Sequence, residues 1–197
     1  LLSDLLRKKF GPVVSHRAGR WATDDTYFSL LEKYGYTIDC SVTPGLNWSG
    51  NKGGTIGSKG SDYTQSNKKP YIIKNTNIVE IPVSIFKSHK LPTQEFHGIK
   101  RLLKDSYHAM KGHNVWVRPT HGNTYEMFDA LRLARKNDSQ YLMFVIHSSE
   151  LMPGGSPNFK TSDDIENLYR GLDTFFSCCC ETFSGITVAK YCKQLNI

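Results

Sequence analysis

The chain has 197 residues, of which 39% are apolar and 22% are charged, and its formal net charge is +7. A chain of this length and composition is expected to form one globular domain over residues 1–197, with a real hydrophobic core. No stretch approaches the roughly 20 apolar residues of a membrane span, which excludes a transmembrane segment at the level of sequence.

The first part of the chain alternates between helical and extended patterns. Residues 1–10 carry apolar side chains at helical spacing, and residues 13–15 form a short predicted strand. Thr23 or Asp24 is expected to cap the next helix. Residues 36–42 are the second predicted strand.

The middle of the chain contains a long polar stretch, residues 46–77, rich in Gly, Ser, Asn and Lys. This length exceeds an ordinary connection, so we predict a basic insertion or a functional loop. Residues 78–86 form the next predicted strand, in which Pro82 favours an edge or bulge position. A basic amphipathic helix is predicted over residues 93–111.

Helices and strands continue to alternate towards the end of the chain. The remaining predictions are a strand at 115–118, a helix at 124–136, a strand at 141–147, a helix at 162–180, a strand at 186–188 and a terminal helix. Strict alternation is typical of parallel β/α units, so the predicted fold class is α/β. Six predicted strands indicate a partial barrel, because a closed β/α barrel needs roughly seven or eight.

The positive charge is concentrated in residues 50–111, which hold 11 Lys or Arg against 4 Asp or Glu. The rest of the chain is balanced, with 14 charged residues of each sign. This segment is either a solvated basic face or a surface for an anionic partner such as an acidic glycan, a phosphate or a membrane. It matches no nucleic-acid-binding module, so no nucleic acid partner is expected.

The five cysteines are odd in number and irregular in spacing, which argues against a disulfide framework. Cys178, Cys179 and Cys180 follow one another on a predicted helix, where neighbours point about 100° apart. They cannot together face one metal ion, and we expect reduced, partly buried thiols. Reduced cysteines favour a cytoplasmic location, although the sequence leaves the compartment unknown.

Residues 141–147 read YLMFVIH, an apolar run that ends in a histidine. The run predicts a strand buried on both faces of a parallel sheet. In such sheets the chemistry lies just past the carboxyl ends of the strands. His147 is therefore where a catalytic imidazole is expected.

Two other predicted strands carry polar groups that are expected to converge with His147 at one mouth. Arg17 follows the first strand and Asp39 lies within the second. A carboxylate would hold the imidazole protonated, and a guanidinium would orient a second carboxylate, which suggests acid–base chemistry on an uncharged substrate. Each residue also has a structural alternative: an ion pair for Arg17, a turn residue for Asp39 and a buried core histidine for His147.

Several segments of the chain resemble polysaccharide deacetylases of carbohydrate esterase family 4. They are HRAGRW at 16–21, YGYTIDCSVTP at 34–44, VWVRP at 115–119, HSSELMPGGSP at 147–157 and DIENLY at 164–169. The resemblance covers nearly the whole chain. It implies a distorted (β/α)7-type barrel, and a hydrolase that removes N- or O-acetyl groups from a polysaccharide.

The resemblance also implies roles for individual residues. His147 corresponds to the family's general acid, Asp39 to the aspartate that supports this acid, and Arg17 to the arginine that positions the catalytic base. Trp48 corresponds to the aromatic wall of the acetyl pocket. The implied cofactor is a divalent metal, commonly zinc, held by an Asp and two His.

No motif of this chain matches the metal-binding motifs that the resemblance implies. Asp24-Asp25 opens a predicted helix, so we interpret it as helix capping. His108 and His113 are five residues apart, at a helix end and in the wrong chain order for the family's histidine pair. We therefore expect the C-terminal two-thirds of a deacetylase, poorly active or inactive alone, with the metal ligands and the base encoded upstream of Leu1.

Three other residues are candidates for contact with the substrate or for chemistry. Glu150 lies three residues beyond the predicted acid and either orients the loop or touches substrate. Arg118 ends another strand and either pairs with Glu80 or binds sugar hydroxyls. Cys40 is interpreted as a core cysteine rather than a nucleophile.

Two rival hypotheses remain beside the deacetylase. One is a non-catalytic carbohydrate-binding relative with the same barrel. The other is an unrelated β/α protein whose basic segment binds a polyanion. The first hypothesis makes an acetylated glycan the partner, and it leaves open the sugar, the linkage and whether the acetyl group sits on nitrogen or oxygen.

Overall fold

The computed structural model describes residues 2–51, 59–91, 106–107, 109–119 and 124–197. The chain divides into two compact units, the first comprising Leu1–Val83 with Ile186–Ile197 and the second Ser84–Gly185. The elements are, in chain order, α1 (Leu2–Phe10), β1 (Ser15–His16), α2 (Asp25–Lys33), β2 (Ile38–Asp39), β3 (Tyr71–Ile72), β4 (Val79–Glu80), β5 (Ile85–Ser88), β6 (His113–Trp116), α3 (Tyr125–Lys136), a 3₁₀ turn (Ser148–Leu151), α4 (Ser162–Cys180) and α5 (Val188–Cys192).

The first unit is built on a four-stranded sheet with the order β1-β2-β4-β3. β1, β2 and β4 are parallel, as the alternating sequence pattern predicts, and β3 joins β4 in the antiparallel direction. The polar stretch predicted as an insertion, residues 46–77, supplies β3. Its residues 52–58 lie outside the described residues.

Helix α2 begins and ends where the sequence predicts. Asp24 is its N-cap, and the carboxylate Oδ1 accepts the N–H of Tyr27 at 2.7 Å, which satisfies one of the donors left open at a helix start. The interpretation of Asp24-Asp25 as helix capping is therefore confirmed. Gly35 follows the helix with φ +73°, a left-handed conformation that glycine adopts at little cost.

The core of the first unit forms between α2 and the sheet. Phe28 and Leu31 point from one face of α2 onto Tyr36, Ile73 and Ile78. The three-residue spacing places both α2 side chains on one helical face. Burying such side chains stabilises the fold by roughly 1.5–3 kcal/mol each, and this packing holds α2 against the strands that carry the candidate site.

The predicted strand over residues 78–86 is divided into β4 and β5. Pro82 lies in the break between them, where its missing N–H removes no ladder hydrogen bond. β5 belongs to the second unit and pairs with β6 in the antiparallel direction. This pairing differs from the parallel arrangement expected there, while the partial or distorted (β/α)7-type barrel stays a prediction.

The second unit packs α3 and α4 around one apolar core. The core includes Val115 and Val117 near β6, Met127 and Leu131 from α3, and the α4 side chains together with Phe159. Thr161 caps α4 through a reciprocal box with Asp164: its hydroxyl accepts the N–H of Asp164 at 3.1 Å, and Asp164 Oδ2 accepts the N–H of Thr161 at 2.8 Å. Both predicted helices are confirmed.

Residues 141–147 do not form the regular strand that the apolar run predicts. Val145 donates its N–H to the carbonyl of Val117 at 2.9 Å, and Met143 donates its own to Ser84 Oγ at 3.0 Å. Met143 and Val145 are buried, while Leu142 and Phe144 are partly buried and pack against the core. The apolar composition therefore reflects real burial on both faces without a strand ladder.

Two other predicted elements have different outcomes. The strand predicted over residues 186–188 is wrong, because Val188 begins α5 and the hydroxyl of Thr187 accepts the N–H of Lys190 at 3.2 Å. The basic helix predicted over residues 93–111 lies mostly outside the described residues, although residues 109–111 are helical.

Candidate functional site

Three polar residues lie side by side across the parallel strands of the first unit. The strand register places His16 on β1 opposite Asp39 on β2, and Asp39 opposite Glu80 on β4. Residues in register on adjacent strands project to the same face of a sheet. All three are the last residues of their strands, at the edge where α/β proteins place their ligands.

The carboxylate of Asp39 is fully buried, and hydrogen bonds engage both of its oxygens. Oδ1 lies 2.8 Å from Nδ1 of His16 and accepts the hydroxyl of Ser41 at 3.0 Å, while Oδ2 accepts the N–H of Ser41 at 2.9 Å. A buried carboxylate is tolerable only when it is paired in this way. Asp39 is thus held rigidly at the strand end, and the histidine that it contacts is His16.

His16 connects the buried Asp39 to a tyrosine. Because the Asp39 carboxylate requires a donor, the proton between the two groups lies on Nδ1 of His16. The hydroxyl of Tyr27 lies 3.0 Å from the other ring nitrogen, Nε2, and forms a hydrogen bond with it. The sequence analysis did not single out His16 or Tyr27, although His16 immediately precedes the predicted Arg17.

Arg17 lies at the same sheet edge as Asp39, as the sequence predicts for these two residues. Its Nε donates to the carbonyl oxygen of Cys40 at 3.2 Å, and its guanidinium lies 5.7 Å from the ring centroid of Trp21. The positive charge of Arg17 acts on the carboxyl of Glu80 and lowers its pKa, against larger effects that raise it. Arg17 therefore serves this cluster as a partly buried cation.

Glu80, which the sequence suggests only as a partner for Arg118, is the third member of the row. Its side chain is 0% exposed, and Oε1 accepts the N–H of Val42 at 3.0 Å. Burial and the neighbouring charge of Asp39 raise the pKa of Glu80 to about 9. The signal in the sequence is a single acidic residue in the apolar stretch IVEIPV at 78–83.

Cys40 and Trp48 also lie near this sheet edge. Burial raises the pKa of the Cys40 thiol to about 12, so the thiolate needed for nucleophilic attack is not populated at neutral pH. This agrees with the interpretation as a core cysteine. Trp48, predicted as an aromatic wall, is half-buried and donates its Nε1–H to Thr43 Oγ1 at 2.7 Å.

An open pocket of about 560 Å³ lies in the first unit beside the residues that follow β1 and β2. Tyr27 lines it together with Val42 and Tyr71, and the polar lining includes Asp25 and Lys59. Aromatic rings mixed with hydrogen-bonding groups suit a hydroxyl-rich ligand. Tyr27 therefore belongs both to this pocket and to the buried His16–Asp39 pair.

His147 lies in the second unit, at the end of the apolar segment. Its side chain is exposed, and its backbone is extended with φ −86° and ψ 141°. Its N–H donates to Oε2 of Glu150 at 2.8 Å, which fixes the start of the 3₁₀ turn that follows. The structural alternative of a buried core histidine therefore does not apply.

The side chain of Glu150 is buried and holds the backbone at His147. It is 3% exposed, and its Oε1 accepts from Nη2 of Arg118 at 3.2 Å. Arg118 in turn lies 5.5 Å from the ring centroid of Trp116. Of the roles that the sequence left open, the contacts favour loop orientation for Glu150, and the carboxylate partner of Arg118 is Glu150.

The predicted site residues thus fall into two groups. Arg17, Asp39 and Trp48 lie in the first unit, and His147 lies with Glu150 and Arg118 in the second. Within each unit the structure brings the predicted residues to one edge or one turn. The shared mouth for Arg17, Asp39 and His147 stays a prediction.

The donor atoms of the described residues do not fit the zinc ion that the resemblance implies. Both ring nitrogens of His16 are engaged, by Asp39 and by Tyr27, and Asp39 bonds to Ser41 as well. Within the described ranges, no group of three or more His, Cys, Asp or Glu side chains is arranged to hold a metal. His108 lies outside the described residues.

Comparisons with known proteins add no relative: no family model, no curated protein and no solved structure matches this chain. Within the part of the chain that the structure describes, no helix has the length and apolar character needed to span a membrane.

Proposed function

We propose that the protein hydrolyses acetyl groups from an acetylated glycan, with His147 as the general acid. The observation that carries this proposal is an exposed imidazole whose backbone N–H donates to Glu150, a buried carboxylate that also pairs with the partly buried Arg118. A general acid needs an accessible ring that is also held in place. Burying the Glu150 carboxylate is costly unless it is paired, so its pairing with Arg118 beneath this turn is consistent with a functional constraint there.

The reaction follows from the chemistry of an acetyl group. Water adds to the carbonyl carbon, the bond from that carbon to the sugar nitrogen or oxygen breaks, and acetate leaves. His147 gives its proton to the departing nitrogen or oxygen, which would otherwise leave as a poor anionic group. The proposal assigns no metal ligand and no base among the described residues.

Arg17 and Asp39 are part of the same proposal. Both lie at the carboxyl edge of the parallel strands in the first unit, where α/β proteins bind their ligands. Asp39 is rigidly held and buried, as expected for a residue that orients others rather than one that contacts solvent. The proposal places these residues in the reaction that His147 completes.

Release of acetate tests this function. The protein is incubated with N-acetylated chitooligosaccharides and with O-acetylated xylan, with and without added Zn²⁺, and acetate is measured over time. His147→Gln is expected to lower the rate by about 10²–10⁴-fold, the usual contribution of a general acid. His89→Gln, which changes another exposed histidine of the second unit, is the matched control and keeps the wild-type rate.

One observation favours a second candidate, a binding-only carbohydrate module. The described residues contain no arrangement of ligands for the metal that deacetylases of this type use. Glycan binding by calorimetry without release of acetate, with or without Zn²⁺, would select this candidate. Equal acetate release by the wild-type protein and His147→Gln would reject the assignment of the acid.

A further inference from the structure

Two carboxyl groups lie next to each other in the interior of the first unit. Asp39 and Glu80 occupy equivalent positions on the parallel strands β2 and β4. Both side chains are 0% exposed. Two ionised carboxylates this close, shielded from water, repel each other strongly, and ordinarily one of the pair holds a proton.

One oxygen of the Glu80 side chain, Oε2, lacks a hydrogen-bond donor. Oε1 of Glu80 accepts the N–H of Val42, whereas Oε2 is buried and has no hydrogen-bond partner when the carboxyl is ionised. Both oxygens of Asp39 accept bonds from His16 or Ser41. An ionised Glu80 would therefore leave an unpaired acceptor in the interior, at a substantial desolvation cost.

The groups that face Glu80 come from several elements. Arg17, after β1, brings a positive charge, while Asp39 on β2 brings a negative one. The negative charge of an ionised Glu80 also raises the pKa of three nearby groups: the thiol of Cys40 and the hydroxyls of Tyr63 and Tyr71. Arg17 brings a positive charge close to Glu80, whereas His16 contacts Asp39 on β2, which lies between β1 and β4.

We propose that Glu80 is a neutral carboxylic acid at neutral pH and donates its proton to the Asp39 carboxylate. The two side chains then share a hydrogen bond, and the pair carries one negative charge. Oε2 gains the partner that it otherwise lacks. Burial first, and the Asp39 charge second, raise the pKa of Glu80 to about 9, which agrees with this protonation state.

The neutral acid gives Glu80 the role of a positioning residue. It fixes Asp39 from the side opposite His16, and it keeps a second charge away from the sheet edge. The effect on catalysis rests on the proposed function, because it requires that Asp39 take part in deacetylation. The protonation state itself does not depend on that function.

Infrared spectroscopy with a matched set of variants tests the proposal. A protonated carboxyl absorbs at a higher frequency than a carboxylate, so wild-type protein at pH 7 is expected to show a buried-acid C=O band. Glu80→Gln removes this band, whereas Glu166→Gln, at an exposed glutamate of α4, leaves it. The wild-type band is lost as the pH rises through about 9. Absence of the band, or its survival in Glu80→Gln, overturns the proposal.

Activity adds a second readout. Glu80→Gln keeps a donor towards Asp39, so acetate release is expected to stay within about threefold of wild type, while Glu80→Leu loses about tenfold or more. Glu80→Gln also loses the alkaline limb that ionisation of Glu80 imposes on the pH profile. A band in the wild type, together with equal acetate release by wild type and His147→Gln, would reject the proposed function and leave the neutral Glu80 in place.

Discussion

Nδ1 of His16 lies 2.8 Å from Oδ1 of Asp39, and the two residues are register partners on the parallel strands β1 and β2. This contact places a proton on Nδ1 of the imidazole, and the other ring nitrogen, Nε2, hydrogen-bonds with the hydroxyl of Tyr27. The carboxylate that the sequence singled out is therefore already committed to a histidine within its own unit. Any contribution of Asp39 to catalysis acts through orientation and charge.

The pair of Arg118 and Glu150 is expected to hold His147 in place. Glu150→Ala leaves the partly buried Arg118 uncompensated and removes the acceptor for the His147 N–H, so the free energy of unfolding falls by about 3–5 kcal/mol. Glu150→Gln keeps an acceptor oxygen and loses less. Urea titration followed by circular dichroism measures both.

Glu166→Ala is the control for this experiment, since the side chain is exposed on α4, and a change within about 0.5 kcal/mol is expected. Equal stability of Glu150→Ala and Glu166→Ala would show that the buried pair does not anchor the turn.

Glu80 makes stability depend on pH in a defined direction. Its pKa is raised from 4.5 to about 9 in the folded protein, so between these values the folded state binds more protons than the unfolded state. Its contribution is fully present below about pH 4.5 and is lost as the pH rises through about 9. Glu80→Gln has no such proton, and its stability is expected to fall less steeply over this range, by at most about 1.4 kcal/mol per pH unit of difference.

Chemical unfolding of both proteins at a series of pH values measures this difference. Parallel curves for wild type and Glu80→Gln would mean that Glu80 ionises alike in the folded and unfolded chains.

Asp129, in the second unit, is expected to make the stability depend on pH in the opposite direction. Burial acts to raise its pKa, but hydrogen bonds from Ser88 and Arg132 outweigh burial, and the net pKa is lowered below 3.8. The resulting stabilisation is present above about pH 3.8 and is lost as the pH falls through the lowered value. Asp129→Asn is expected to cost about 1–3 kcal/mol at pH 7.

Thermal and urea unfolding between pH 2 and pH 7 provide the measurement for Asp129. Asp173→Asn, at an exposed position on α4, is the matched control. An Asp129→Asn protein as stable as this control would contradict the assignment of a buried, charge-assisted cluster.

The cysteines are expected to differ in reactivity as they differ in exposure. Cys180 is exposed, whereas burial raises the pKa of Cys40 to about 12 and that of Cys179 to about 11. A thiol-specific reagent should therefore label Cys180 first and Cys40 only after unfolding. Cys180→Ser removes the fast phase of labelling, and Cys40→Ser leaves it unchanged.

Mass spectrometry of native and denatured samples assigns the labelled positions. Rapid labelling of Cys40 in the native protein would contradict its interpretation as a buried, unreactive core cysteine.

Helices were the part of the fold best specified by local sequence. Asp24 caps α2 as predicted, and α4 spans residues that the periodicity marks as helical. Helix caps and apolar stripes act through contacts a few residues apart, so a single sequence contains their full signal. The N-cap of α4 is Thr161, directly before the predicted helix start at residue 162.

Strands were less predictable because their partners are distant in sequence. The apolar run at 141–147 is buried as expected, yet it is not a regular strand; Val145 donates its N–H to the carbonyl of Val117 there. β5 and β6 pair in the antiparallel direction, which alternation alone does not reveal. Apolar composition predicts that a segment is buried, whereas its strand pairing depends on which distant segment packs beside it.

The candidate site, too, could be predicted only in part, because its contacts join residues that are distant in sequence. Arg17 and Asp39 were identifiable as polar groups at strand ends, but the contact of Asp39 with His16 and its register with Glu80 emerge only from the sheet. Glu80 was visible as an acid in an apolar stretch, and its significance depends on Asp39 lying opposite.

A double-variant cycle on acetate release tests most directly whether Asp39 and His147 serve one reaction. Rates are measured for wild type, Asp39→Asn, His147→Gln and the double variant, with circular dichroism confirming that each folds. Residues of one catalytic unit are strongly non-additive, so the double variant should be about as slow as the slower single variant. Rate losses that multiply independently would contradict the account.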